Sequence, residues 1–296
     1  MKRTDKKIRP DALLTSDWHL RHDTPICRTD EEFQRSQWTK VDFIKDLQSK
    51  YQCPVLHAGD LFNHWKPSPW LLSKTMQHLP EWFCTIFGNH DLPQHNIQEK
   101  DKCGIFALET ARVLTLLPGI HWGYNGAQLR SFDSFNIKGR RILIWHVMTY
   151  QGKTPWPGCT DPKAGGILRK YPEYDLILTG HNHKAFTETH EGRLLVNPGS
   201  LTRQDADQID FLPRIYLYYA DTNTIRAVRL PIKKDAVSRA HIERSSERSE
   251  RIDAFISKLS GEFQAGLNFE ENLERFFQKN KVKKKEKEII YKALES

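Results

Sequence analysis

Over the first two-thirds of the chain, apolar residues come in short runs of strand length, separated by stretches of helical spacing. Residues 12–16 (ALLTS) form one such run, residues 54–58 a second within CPVLHAG, and WFCTIF at 82–87 a third. Between the first two, Phe33, Val41, Ile44 and Leu47 fall near one helical face, which predicts a helix over 31–48. PSPWLLSKTMQHL predicts a second helix entered through Pro69, where the ring's fixed φ suits a first helical position. This β-α-β-α-β order predicts a layered α/β domain. Further strands are expected in RRILIWH (140–146), YDLILTGH (174–181), GRLLVNPGS and RIYLYYADTNTIRAVRL, the last folded back at Asp221–Asn223. No internal repeat is evident.

The pattern changes near Pro231. Beyond it the chain is rich in Lys, Arg and Glu, with apolar stripes at Ile252, Phe255, Ile256, Leu259 and Phe263, at Leu273, Phe276 and Phe277, and at Ile289, Ile290 and Leu294. A domain over 1–232 followed by a helical appendage over 233–296 is expected. A lone apolar stripe must be buried somewhere. Packing back onto the α/β domain and docking a partner would each bury it, and the stripe at Leu273, Phe276 and Phe277, with the one beyond it, is the candidate for docking.

At 296 residues and 38% hydrophobic content the chain can form a sizeable core, yet no apolar run approaches the roughly 20 residues needed to span a bilayer. The basic start MKRTDKKIRP has no apolar segment of signal-peptide type after it, so a cytoplasmic protein without membrane contact is expected. The five cysteines, Cys27, Cys53, Cys84, Cys103 and Cys159, are widely spaced and form no C-x-x-C pair, which predicts reduced thiols. A net charge of +8 makes polyanions, nucleic acid among them, natural partners.

The chemistry gathers where strands end. Five apolar runs finish in metal-ligand residue types: Ser16-Asp17-Trp18-His19, Gly59-Asp60, Gly88-Asn89-His90-Asp91, His146, and Gly180-His181-Asn182-His183. In open α/β sheets functional groups collect beyond the carboxyl ends of strands, so these are placed to converge. Carboxylate, imidazole and amide oxygen together suit borderline divalent ions such as Mn²⁺, Fe²⁺ or Zn²⁺. A glycine before Asp60, Asn89 and His181 suits a tight strand exit with positive φ.

In this order, D-x-H, G-D, G-N-H-D, a lone His and G-H-x-H resemble the calcineurin-like metallophosphoesterases over about residues 11–200. LLTSDWHLR, HAGDLF and VNPGSLTR further resemble SbcD-type DNA repair exonucleases, in a compact, phage-type length. The resemblance implies a layered β-sandwich flanked by helices and a two-metal centre, with Mn²⁺ favoured over Mg²⁺, Fe²⁺ or Zn²⁺. It implies that Asp17, His19, Asp60 and His183 hold one ion and that Asp60, Asn89, His146 and His181 hold the other. It makes His90 the acid that protonates the leaving oxygen, with Asp91 orienting its ring. Some relatives carry a second histidine after G-D-L-F; here Asn63 takes that place, with His64 beside it.

Arg21, His64 and Arg203 are candidate substrate contacts, and the tryptophans at 18, 65, 70, 145 and 156 are candidates for stacking on bases, at most two of them doing so. The implied activity is a DNA exonuclease or endonuclease of repair or recombination. The implied partners are DNA and an SMC-like ATPase of the SbcC kind bound through the C-terminal helices, with a homodimer also compatible. If the chain is phage-encoded, its compartment is the host cytoplasm. Two alternatives stand beside this: a small-molecule phosphodiesterase or phosphatase of the same fold, and a non-catalytic, metal-stapled scaffold.

Overall fold

The computed structural model describes residues 9–117, 121–122, 135–262 and 269–294, with the backbone alone for 245 and 254–262. Two compact units divide at Ser238.

The first unit is built on two sheets. The larger has the order β11-β10-β1-β2-β3-β4, where β1 is Ala12–Thr15, β2 Val55–His57, β3 Phe83–Thr85, β4 Thr115–Leu116, β10 Arg214–Tyr219 and β11 Thr224–Arg229. The smaller has the order β5-β6-β7-β9-β8, from Phe135–Ile137, Arg140–His146, Leu176–Gly180, Arg193–Asn197 and Phe186–His190 respectively. β1, β2 and β3 run parallel, with Leu14 opposite Leu56 and Leu56 opposite Cys84. β6 and β7 also run parallel, with His146 opposite Gly180.

Alternation along each strand builds the layers, since successive side chains point to opposite faces. Leu14, Leu56 and Cys84 from one sheet pack with Ile142, Ile144, Leu176, Leu178 and Val196 from the other. On the outer face of the larger sheet, Leu13, Val55 and Phe83 meet apolar residues of α1 (Phe33–Tyr51), α2 (Pro69–His78) and α3 (Gly104–Thr110). On the outer face of the smaller sheet, Leu143, Trp145, Ile177 and Leu195 meet α4 (Ala164–Lys170). The result is the expected β-sandwich flanked by helices. Ser68 caps α2 by accepting from Leu71 N at 3.2 Å, one residue before Pro69. All five cysteines are free thiols and four are buried.

The second unit holds α5 (Ala240–Glu262), α6 (Phe269–Lys279) and α7 (Lys284–Leu294). Leu273, Phe276 and Phe277 do not form an outward stripe: they bury against Val282, Ile290 and Tyr291 in a core of this unit's own. Ile289 and Leu294 remain exposed. The side chains of Phe255, Ile256 and Leu259, together with Phe263 and the basic residues 1–8, lie outside the described residues. Among the described residues no helix is long and apolar enough to cross a membrane.

Candidate metal centre

The seven candidate ligands leave the carboxyl ends of five strands and meet at one edge of the sandwich. Asp17 and His19 follow β1, Asp60 follows β2, Asn89 follows β3, His146 closes β6, and His181 and His183 follow β7. His19 Nε2 stands 3.0 Å from His183 Nε2, and both group with Asp17. Asn89 Oδ1 lies 3.0 Å from His146 Nε2 and 2.8 Å from His181 Nδ1. Asp60 Oδ2 sits between the two sets, 3.5 Å from His19 Nε2 and 3.4 Å from His146 Nε2.

Backbone geometry sets this convergence. Asp17, His19, Asp60 and His181 themselves take the left-handed conformation, at φ of 50°, 44°, 58° and 77°. Four such non-glycine residues in one site are backbone strain held where function sits. The preceding glycines differ in their reasons. Gly59 has φ of 88°, as expected, whereas Gly88 and Gly180 are absent from the positive-φ residues. A Cβ on Gly88 would stand 2.1 Å from Asp60 Oδ1 and 2.4 Å from Asp60 N, so close packing is what requires glycine there.

A cation fits the donors. Asp17 Oδ2 is buried with no hydrogen-bond partner, while Asp17 Oδ1 accepts from His181 N at 2.9 Å. His146 donates Nδ1–H to the Ala58 carbonyl at 2.7 Å, so in the neutral ring the lone pair falls on Nε2, toward the cluster. The charges are unbalanced as well. Burial raises the Asp17 pKa. Burial would also raise Asp60, but His146, His19 and His90 outweigh it and hold that carboxyl well below the usual range. Burial works against a charged His146, yet Asp60 and Asp17 prevail and lift its pKa to about 9. Burial, with His146 beside it, takes His181 down to about 4. Buried imidazoles crowded against buried carboxylates form a polar cluster that a divalent ion neutralises.

His90 lies at the edge of the cluster, its ring centroid 4.7 Å from that of His19, in a group with His19 and Asp60. Its Nδ1 donates to the Asn63 carbonyl at 3.0 Å. The expectation that Asp91 orients this ring is therefore corrected. Asp91 is buried and accepts from four main-chain N–H groups: Asp60 at 2.8 Å, Leu61 at 3.3 Å, Phe62 at 3.1 Å and Gly88 at 3.0 Å. Burial and the Asp60 carboxylate push its pKa up to about 8, against those amides, which favour the ion. Its role is to clamp the G-D and G-N-H-D turns together.

The candidate substrate contacts fare differently. Arg203 is buried and donates to the carbonyls of Ile209 and Lys233, so it ties loops together and does not face the cleft. Arg21 is half-buried, paired with Asp23 and hydrogen-bonded to Gln204 Oε1 at 3.3 Å. His64 is exposed beside Trp65, outside the ligand cluster. Trp18 and Trp145 are core residues, while Trp70 and Trp156 are exposed. His57, buried in β2, bonds Thr85 Oγ1 at 2.8 Å through Nδ1, but its buried Nε2 has no partner.

Two residues near the centre carried no sequence signal. Trp122 stacks on His181, with ring centroids 4.7 Å apart and planes 26° apart. Asp205 Oδ2 lies 3.6 Å from His183 Nδ1, while the other ring nitrogen of His183 faces His19. Metal-binding imidazoles are usually oriented by such a carboxylate. Asp205→Asn is expected to weaken ion binding at the His19–His183 end about 10- to 100-fold, with little change in melting temperature. Calorimetric titration of Mn²⁺ into metal-stripped protein measures this, and an unchanged isotherm would remove Asp205 from the site.

Residues 12–213 match the model of the calcineurin-like phosphoesterase superfamily domain. The chain belongs to that superfamily. Its members are metallophosphoesterases and use divalent metal ions. Solved structures with likeness to this superfamily member include an archaeal phosphodiesterase, at 16% identity and a TM-score of 0.44, covering 74% of this chain and 99% of that one. Vps29 of Entamoeba histolytica, complexed with zinc, gives 17% and 0.36, covering 74% and 97%. Vps29 of Cryptosporidium parvum gives 15% and 0.38, covering 76% and 100%. No curated protein matches the chain.

Proposed function

We propose that this phosphoesterase is a nuclease that hydrolyses DNA phosphodiester bonds in repair or recombination. The observation that carries the hydrolytic reading is a set of seven converging donors, with Asp60 3.5 Å from His19 of one group and 3.4 Å from His146 of the other, and a histidine beside them whose ring is already held. A non-catalytic scaffold needs no such histidine. DNA as substrate is supported by the +8 charge and by the SbcD-like segments around Asp60 and Arg203.

Asp17, His19, Asp60 and His183 would hold one ion, and Asp60, Asn89, His146 and His181 the other. When bound, such a pair supplies Lewis acidity at a phosphoryl oxygen and a water acidic enough to attack near neutral pH. The chain's own residues do the rest. Asn63 fixes the His90 ring through Nδ1–H, leaving Nε2 to act on substrate. In the imidazolium form, His90 passes the Nε2 proton to the departing oxygen as the P–O bond breaks. Asp91 fixes the turn that presents Asp60, and the Asp205 carboxylate, 3.6 Å from His183 Nδ1, favours the ring orientation that turns Nε2 toward His19.

One observation favours a small-molecule diester instead. A pocket of about 210 Å³ beside His181 and His183 is lined in part by Met148, Lys184, Asp205 and Asp207. Its two carboxylates would repel a phosphate chain. A side-by-side assay separates the readings: metal-stripped protein with Mn²⁺ added back, on single- and double-stranded DNA, bis-p-nitrophenyl phosphate and p-nitrophenyl phosphate. Turnover of DNA and the diester is expected, strongest with Mn²⁺ and absent in EDTA. Cleavage of the diester with DNA left intact would select the small-molecule reading. A docking surface for an ATPase partner would fall on the C-terminal unit's exposed Ile289 and Leu294.

A further inference from the structure

A second cavity, of about 1060 Å³, opens at the other end of the larger sheet, between the last turn of α1 and the β10–β11 hairpin. That is at the upper end of the ~300–1,000 Å³ typical of ligand clefts. Arg9, Lys50 and Arg226 contribute its charges, and Tyr51 and Tyr219 its rings. Its lining has no carboxylate. Asp11 N bonds the Tyr218 carbonyl at 2.7 Å, and Tyr219 pairs with Thr224, which places the cavity at the amino-terminal end of β1. Asp17 and His19 lie beyond the opposite end of that strand, whose four residues alone span about 13 Å at roughly 3.3 Å per residue. A ligand here sits apart from the metal centre.

Three like charges face one space, and among the described residues none of the three has an ion-pair partner. The acids nearest to Arg9 and Arg226 in the described sequence are already taken: Lys138 Nζ holds Asp11 and Asp221, each at 2.9 Å. The Lys50 ammonium instead lies 5.3 Å from the centroid of the Tyr51 ring. Arg9, Lys50 and Arg226 are exposed, and together they give this groove a positive potential that an anion from outside complements. The ligand that complements this lining is anionic at several points and can lay a flat group on the half-buried rings of Tyr51 or Tyr219. An acidic peptide meets the first need only, and a duplex hides its base faces in the stack.

We propose that this groove binds single-stranded nucleic acid, with phosphates on Arg9, Lys50 and Arg226 and a base stacked on Tyr51 or Tyr219. The groove holds a strand away from the centre that cuts, and the inference does not depend on the substrate assigned to that centre.

The test uses the full chain in EDTA and a fluorescein-labelled oligothymidylate, followed by anisotropy over a range of NaCl. Removing two phosphate contacts in Lys50→Gln/Arg226→Gln should lower the slope of log Kd against log salt by about 1.4, at ~0.7 per contact on a single strand, and weaken binding about 25-fold near 0.1 M salt. Tyr51→Ala or Tyr219→Ala should weaken binding about 5- to 150-fold with the slope unchanged, the ~1–3 kcal/mol of one stacked base. Hydrolysis of bis-p-nitrophenyl phosphate with Mn²⁺ should be unchanged in every variant. Wild-type affinity in the double variant, or in both Tyr51→Ala and Tyr219→Ala, overturns the proposal. So does displacement of the oligonucleotide by poly-glutamate at equal charge concentration.

Discussion

Replacing Asp60 with asparagine is expected to cost the protein both ions and at least about 10³ in turnover, some 4 kcal/mol of barrier at 1.36 kcal/mol per decade. Asp60 Oδ2 is the one carboxylate oxygen placed between the two donor groups, at 3.5 Å from His19 and 3.4 Å from His146. An amide presents a neutral oxygen to one group and N–H donors to the other, where imidazole lone pairs already wait. Asparagine is the informative substitution because the position has φ of 58°, which asparagine tolerates and alanine does not. The fold is thus spared, and a thermal melt confirms that separately. Metal content by mass spectrometry, alongside hydrolysis of bis-p-nitrophenyl phosphate, gives the result. Two ions per chain in Asp60→Asn would disprove the bridging role.

His90→Ala should part these two readouts. Metal content should stay at two ions while turnover of DNA falls about 10²- to 10⁴-fold, the usual worth of a general acid. The loss should depend on the leaving group. A nucleoside alkoxide needs the proton, whereas p-nitrophenolate departs without it, so bis-p-nitrophenyl phosphate should suffer much less than DNA. His90 also stands in a group with His19 and Asp60 that has the spacing of an ion site. If His90→Ala loses an ion, and loses activity equally on both substrates, then His90 is a ligand and not the acid.

The convergence of the candidate ligands was readable from sequence because each comes directly after an apolar run, and parallel strands deliver the residues beyond their carboxyl ends to one edge. The helices α1 and α2 were readable from their apolar spacing and from Pro69. The features that escaped had no local signature. The acceptor that holds His90 is the backbone carbonyl of Asn63, and any residue has a carbonyl. Asp91 neighbours His90 in the chain, which invited the orienting role, but the turn sends its carboxylate to the amides of residues 60–62 and Gly88. Asp205 meets His183 across 22 residues and Trp122 meets His181 across 59, so each is a product of tertiary packing. Arg203 beside the VNPGSLT segment read as a phosphate contact, yet loop carbonyls consume its guanidinium. Strands β5 and β8 were missed because edge strands carry polar residues, as Thr187, Glu188 and Thr189 show.

The donors come from both sheets. Asp17, His19, Asp60 and Asn89 follow strands of the larger one, and His146, His181 and His183 follow strands of the smaller. The contacts of Asp17 with His181 and of His19 with His183 each close 164 residues of chain. Closures of that length are entropically costly and belong to slow folding steps. During refolding, ion uptake will therefore trail strand formation and report the moment the sandwich stacks. A fragment carrying either sheet alone, however well it folds, will leave both coordination spheres incomplete.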